Sequence, residues 1–108
     1  MQIDLVSKLT HDYLASRLAP NQKKEDQNIF FTYENQTLEI YSIMEGFDGT
    51  SVKFPNAKAK RIKSKGIWKV YCMGQSMKWE LYKPHSEVKD INEFLKLIDK
   101  DKYTMFWS

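Results

Sequence analysis

The amino-acid sequence predicts an α+β protein: an N-terminal helix, an antiparallel meander sheet of about five strands, and a C-terminal helix, with both helices on one sheet face. Three observations predict it. Apolar residues recur at three- and four-residue steps over 3–18 and again after Asp90, whereas between 29 and 83 they alternate with period two. Turn-forming pairs punctuate the alternating region at Asn35-Gln36, Lys65-Gly66 and Gly74-Gln75. Both helical stretches are apolar along one stripe only, so each needs a surface to cover.

The first helix carries Ile3, Val6, Leu9, Tyr13, Leu14 and Leu18 on its stripe, and Pro20 stops it. Residues 29–44 read as a hairpin. A two-residue turn at Asn35-Gln36 pairs Tyr33 with Leu38 and Phe31 with Ile40, which gives one apolar face. Glu45–Asn56, with Gly46, Gly49 and Pro55, reads as a longer loop. Three strands follow, at Ala57–Ser64, Ile67–Met73 and Met77–Lys83. The last two pair Trp68 with Leu81, Val70 with Trp79 and Cys72 with Met77 on the inner face, and Lys69 with Glu80 and Tyr71 with Lys78 on the outer. Cations occur at both parities of 57–64, and a buried unpaired cation is costly, so this strand is expected at an edge, or its hairpin tip is expected to extend beyond the core. Asp90 and Glu93 form a capping box for the last helix, whose buried stripe is Ile91, Phe94, Leu95 and Ile98.

At 108 residues, with 42% apolar and 29% charged content and fifteen aromatics, the chain makes one domain with a real core. No apolar run approaches the roughly 20 residues of a membrane span. The start lacks the shape of a signal peptide, and a lone Cys72 makes no internal disulfide. The expectation is a cytoplasmic protein.

Charge is unevenly placed. Between Asp48 and Glu80 there is no acidic residue, while Lys53, Lys58, Lys60, Arg61, Lys63, Lys65, Lys69 and Lys78 give that window a formal charge of +8; the remainder, with all 14 acidic residues, is −5. Trp68 and Tyr71 lie in the same window. A basic, aromatic strip suits an anionic partner.

The second half of the chain also carries a pattern of its own. Pro55 with Ala57-Lys58 precedes Ser64-Lys65-Gly66-Ile67-Trp68-Lys69-Val70-Tyr71. Lys78-Trp79-Glu80-Leu81-Tyr82-Lys83-Pro84, Ile98-Asp99-Lys100-Asp101 and Phe106-Trp107 follow. Over residues 55–107 this resembles a bacterial domain-of-unknown-function family, number 3024. Ala59, Arg61 and the final Ser108 depart from the pattern, and the N-terminal half is similar only in layout. The resemblance implies a small bacterial α+β protein and no activity.

The outward face of the meander is expected to gather Lys58, Lys60, Lys69, Tyr71, Lys78 and Tyr82, with Arg61, Lys63 and Lys65 nearby, as a site for nucleic acid or another anion. The bland alternative is a solvated face with Lys–Glu pairs such as Lys69 with Glu80. Trp68 and Trp79 read as core. Cys72 has no histidine motif beside it and reads as a buried thiol. One cysteine with His11 and His85 does not make a metal site. Asp48 with Glu87 and Lys89 would be the carboxylates and lysine of a nuclease, but their setting is wrong for it. Gly46–Gly49 lacks the ending of a phosphate loop. Phe106 and Trp107 are too apolar for a free tail and dock onto the sheet or onto another subunit. The favoured function is a non-enzymatic interaction protein whose partner is another protein or a second copy, with no catalytic residues, metal, cofactor or membrane. Nucleic-acid binding is the first rival, and an enzyme with a cleft at 45–56 the second.

Overall fold

The computed structural model describes residues 4–17, 28–74, 77–103 and 105–106. Helix α1 (Leu5–Ser16) starts where the Asp4 carboxylate accepts the Val6 N–H at 3.0 Å. Pro20 and Leu18, placed on this helix from the sequence, lie outside the described residues. Strands β1 (Ile29–Glu34) and β2 (Thr37–Glu45) form the expected hairpin in the expected register, Tyr33 opposite Leu38 and Phe31 opposite Ile40. Asn35 and Gln36 both take positive φ, 49° and 61°, and this mirror-image turn matches the twist of the strands it joins.

Strand β3 (Ser51–Ile62) is longer than the sequence suggests and pairs with β2 on one side and β4 (Ile67–Met73) on the other. Two expectations are corrected here. The 57–64 strand is central, not at an edge, because Ala57 and Ala59 point to the core while Lys58 and Lys60 point away from it. The cations at the other parity, Arg61 and Lys63, fall at the sheet end and in a 3-10 turn (Lys63–Lys65), where they are exposed. The segment 45–56 is also not a loop. It is the distal half of the β2–β3 hairpin, paired from Tyr41–Pro55 to Glu45–Ser51 around a tight tip. Pro55 is tolerated there because β4 does not reach past the Ala57–Cys72 pair, so no ladder bond needs its missing N–H.

Strand β5 (Trp79–Leu81) pairs Leu81 with Tyr71, Glu80 with Cys72 and Trp79 with Met73. The expected register is therefore wrong by an odd number of residues, which turns every side chain of the strand over. The chain then leaves the β4 edge through a 3-10 turn (Lys83–His85) and returns to the same edge as β6 (Glu87–Val88). Val70 brackets this excursion, accepting from Tyr82 N and donating to Ser86 O, each at 2.9 Å. The result is a six-stranded antiparallel sheet, β1-β2-β3-β4-β5 with β6 also on β4.

Helix α2 (Ile91–Lys100) has the two side-chain bonds expected at its start, the second displaced by one residue from a regular capping box. Asp90 accepts Glu93 N at 2.9 Å, and the Glu93 carboxylate reaches back to Lys89 N at 2.9 Å. Both helices lie on one sheet face. Leu14, Ile91, Phe94, Leu95 and Ile98 share one buried cluster with Leu38, Ile40, Ala57, Ala59 and Val70. At the helix ends Tyr13 donates to Asp99 Oδ1 at 3.1 Å, and Arg17 donates to both, at 3.2 and 3.3 Å. Partial burial is the main cause that pushes the Tyr13 hydroxyl up from an ordinary value of 10 to about 12.

The C-terminal tail docks on its own sheet. Phe106 is buried with its ring 4.9 Å from Tyr82, and Asp101 Oδ1 accepts Met105 N and Phe106 N at 2.7 and 3.1 Å. Asn56 is the extra residue of a bulge in β3. Its side chain accepts from Ser42 at 2.7 Å and donates to Phe106 O at 2.9 Å.

Phe106→Ala should cost about 3–5 kcal/mol through the cavity it leaves, and Asn56→Ala about 1–2 kcal/mol through lost bonds. In urea unfolding the double variant should lose less than the sum, because both act on one tail. A hydroxyl raised by folding ionises first in the unfolded chain, so stability should fall between pH 10 and about 12. Tyr13→Phe should flatten that fall in unfolding curves taken across the window.

Candidate functional site

Among the described residues no helix covers the second sheet face. The alternation of β3 and β4 puts Lys58, Lys60, Lys69 and Tyr71 there, and β5 adds Trp79. The Lys58 ammonium lies 5.4 Å from the Tyr71 ring centre and 5.5 Å from that of Trp79. Lys60 stands directly opposite Lys69. Like charges in that position repel, and neither has an ion-pair partner among the described residues. Glu87 lies across from Lys69 on the other side without closing to an ion pair. Lys53 is different: it pairs with Glu39 at 3.8 Å and sits 4.4 Å from the Tyr41 ring centre.

The adjoining end of the sheet is also basic. Lys63 and Lys65 are exposed in the 3-10 turn, which Gly66 closes at a φ of 63°. Arg61, exposed on the helix side of β3, donates its N–H to Gln36 O at 2.9 Å. From Lys58 to Lys69 the β3–β4 hairpin therefore holds six cations and no acid. Lys78 is exposed beside the β4–β5 connection, where its carbonyl accepts Gly74 N at 3.0 Å.

Two placements correct the sequence reading. Tyr82 does not share the lysine face; it is 3% exposed on the helix side against Phe106. Burial raises its hydroxyl pKa, with Asp101, Tyr103 and Cys72 adding to the effect. Trp79, expected in the core, is half-buried on the open face. Trp68 is in the core as expected, 6% exposed. Phe106 is taken up inside the chain's own fold, which leaves it no free surface for a partner, and Trp107 lies outside the described residues.

The other side of β5 borders a groove of about 570 Å³ lined by Cys72, Glu80, Tyr82, Pro84, Tyr103 and Met105 among others. Burial raises the Cys72 thiol, and the facing Glu80 raises it further, the opposite of what a nucleophile needs. His11 sits against Asp12 at 3.7 Å and His85 against Glu93 at 3.4 Å. Asp48 is at the hairpin tip and Glu87 opposite Lys69, so the nuclease carboxylates are not brought together. Among the described residues no three His, Cys, Asp or Glu side chains group as a metal site, and no helix is long and apolar enough to cross a membrane.

Fold and face together define a small α+β protein with a two-helix layer behind a sheet whose other face carries Lys58, Lys60, Lys69, Tyr71 and Trp79, with Glu39 opposite Lys58 and Glu87 opposite Lys69. The chain belongs to the family described as domain of unknown function DUF3024, whose model matches residues 2–108, well beyond the half in which the resemblance was first apparent. No curated protein and no solved structure matches it.

The state of Cys72 can be read directly. The native thiol should react with a disulfide reagent far more slowly than the unfolded chain. Glu80→Gln should lower the thiol pKa and speed the native reaction at mildly alkaline pH, and an unchanged rate would remove Glu80 from the account.

Proposed function

We propose that this protein is a binding module for single-stranded nucleic acid, held on the open face of the sheet. One observation carries the reading: Lys60 faces Lys69 across adjacent strands and neither closes an ion pair among the described residues, even though Glu87 lies opposite Lys69 on its other side. A bound phosphate relieves that repulsion and releases counterions. Tyr71 and Trp79 beside them offer ring faces on which bases stack, with Lys58 free to turn from ring to phosphate. A flat sheet reaches unstacked bases more readily than the floor of a duplex groove, which favours single strands. The reading assumes a cytoplasmic protein, in keeping with one unpaired cysteine. It needs no cofactor and no catalytic group.

Fluorescence anisotropy of labelled mixed-sequence oligonucleotides tests it. Binding should weaken with salt and favour single over double strands. Lys60→Gln with Lys69→Gln should weaken it and flatten the logarithmic salt slope by about 0.7 for each phosphate contact removed. Trp79→Leu should reduce single-strand binding more than any residual duplex binding. No binding at low salt, or binding indifferent to the lysine pair, would overturn the proposal.

A further inference from the structure

The β2–β3 hairpin does not end with the sheet. β1 stops at the Ile29–Ser42 pair and β4 contacts β3 only as far as Ala57. Past the Ile43 N–H bond to Asn28 O at 2.8 Å, the two strands pair only with each other among the described residues, and every residue from Met44 to Phe54 is exposed. Met44 and Val52 are paired and share the helix-side face of this arm with Phe54. Phe47 stands wholly exposed at the tip. The tip is nonetheless built: Asp48 Oδ1 accepts Thr50 N at 3.1 Å and Thr50 Oγ1 at 2.6 Å, Gly46 N donates to Thr50 O at 2.7 Å, and Gly49 takes a φ of 82°. A two-stranded ribbon with an apolar face is poorly stable in water by itself, and exposed apolar side chains gathered on one face suit a contact.

A surface suited to it lies at the root of the same arm. The groove beside Cys72 continues past Tyr82, Pro84 and Tyr103 into a second cavity of about 370 Å³ against α2. Its floor is aromatic and apolar, with Tyr103 and Met105 exposed. Lys83, Lys96, Lys100 and Lys102 line it against two carboxylates, Glu80 and a Glu93 that lies 3.4 Å from His85 and accepts Lys89 N, so cations predominate. The arm tip has the opposite character: between Glu45 and Val52 it holds Glu45, Asp48 and Phe47 and no cation.

We infer that the Glu45–Val52 tip of one copy seats in the Tyr103 groove of a second copy, so that two chains exchange arms about a twofold axis. Charge complementarity chooses the occupant, since an acidic aromatic tip and a lysine-rimmed apolar groove belong to the same chain. Placement allows both contacts at once. Asn56 at the arm root bonds Phe106, and Phe106 packs on Tyr82, which lines both cavities. The arm root and the groove floor are thus tied to one another through Asn56, Phe106 and Tyr82, which fixes how one copy could offer both to a partner in an isologous dimer. The open lysine face takes no part in it.

Sedimentation equilibrium of the full chain from about 1 µM to about 1 mM tests the inference. The expected result is a reversible dimer. Phe47→Asp should raise its dissociation constant by roughly tenfold or more, and Lys100→Glu with Lys102→Glu should do the same. All these side chains are exposed, so circular dichroism should show both variants folded. Mixing the two variants should partly restore association, because one intact arm meets one intact groove. A monomer throughout the range overturns the inference, as does a dimer indifferent to Phe47→Asp. A dimer lost with Phe47→Asp but indifferent to the lysine reversals overturns it too, since the arms would then meet elsewhere. Oligonucleotide binding by the Phe47→Asp variant should be unaltered, so the two readings fail separately.

Discussion

The strict alternation of alanine and lysine in β3 is the constraint on which the rest of the structure depends. A strand flanked on both sides has no edge on which to place a charge, so its two faces must differ. Ala57 and Ala59 are fully buried toward the helices, while Lys58 and Lys60 stay in contact with water. The small side chains keep that part of the core thin, and the bulk comes from Phe94, Ile98, Leu38 and Ile40 in the same cluster. A cation at either alanine would bring a desolvation cost of several kcal/mol. The helices consequently have one face available to them, and the basic strip has the other.

That sorting also explains why the face is electrostatically unsettled. Lys53 lies on the same side of the sheet and finds Glu39 and the Tyr41 ring. The β3–β4 ladder fixes the backbones of Lys60 and Lys69 opposite one another, while their ammonium groups keep the freedom of the side chains. The repulsion is small in water and screened by salt, so the fold tolerates it. The ladder nevertheless sets two lysines side by side on adjacent strands, within reach of one bridging anion.

The parts of this fold legible in the sequence are those where a turn residue and an apolar pattern agree. Asn35 tolerates positive φ, and its hairpin register brings Phe31, Tyr33, Leu38 and Ile40 to one face; only one arrangement satisfies both. The helix start at Asp90 and Glu93 is local and legible for the same reason. The β4–β5 register is not. Trp79 and Leu81 supply one parity and Tyr82 the other, so apolar pattern alone does not choose between them in a three-residue strand. The deciding contact is Tyr82 with Phe106, between residues distant in sequence. The β2–β3 arm was hidden because Gly46, Gly49 and Pro55 are loop signals in isolation. They are compatible with strands here because, among the described residues, no further strand flanks the arm on either side.

The broken strand formed by β5 and β6 has a consequence for behaviour at high concentration. A sheet flank lengthens by recruiting another chain when it offers a long straight row of free amides and carbonyls. On the β4 side that row is interrupted by the Lys83–His85 excursion, whose Pro84 has no amide hydrogen to donate. Two pieces of three and two residues remain, too short to template an incoming strand. This flank is thus a poor template for fibril-like growth even in a concentrated solution, because of an irregularity in the chain's path along β4.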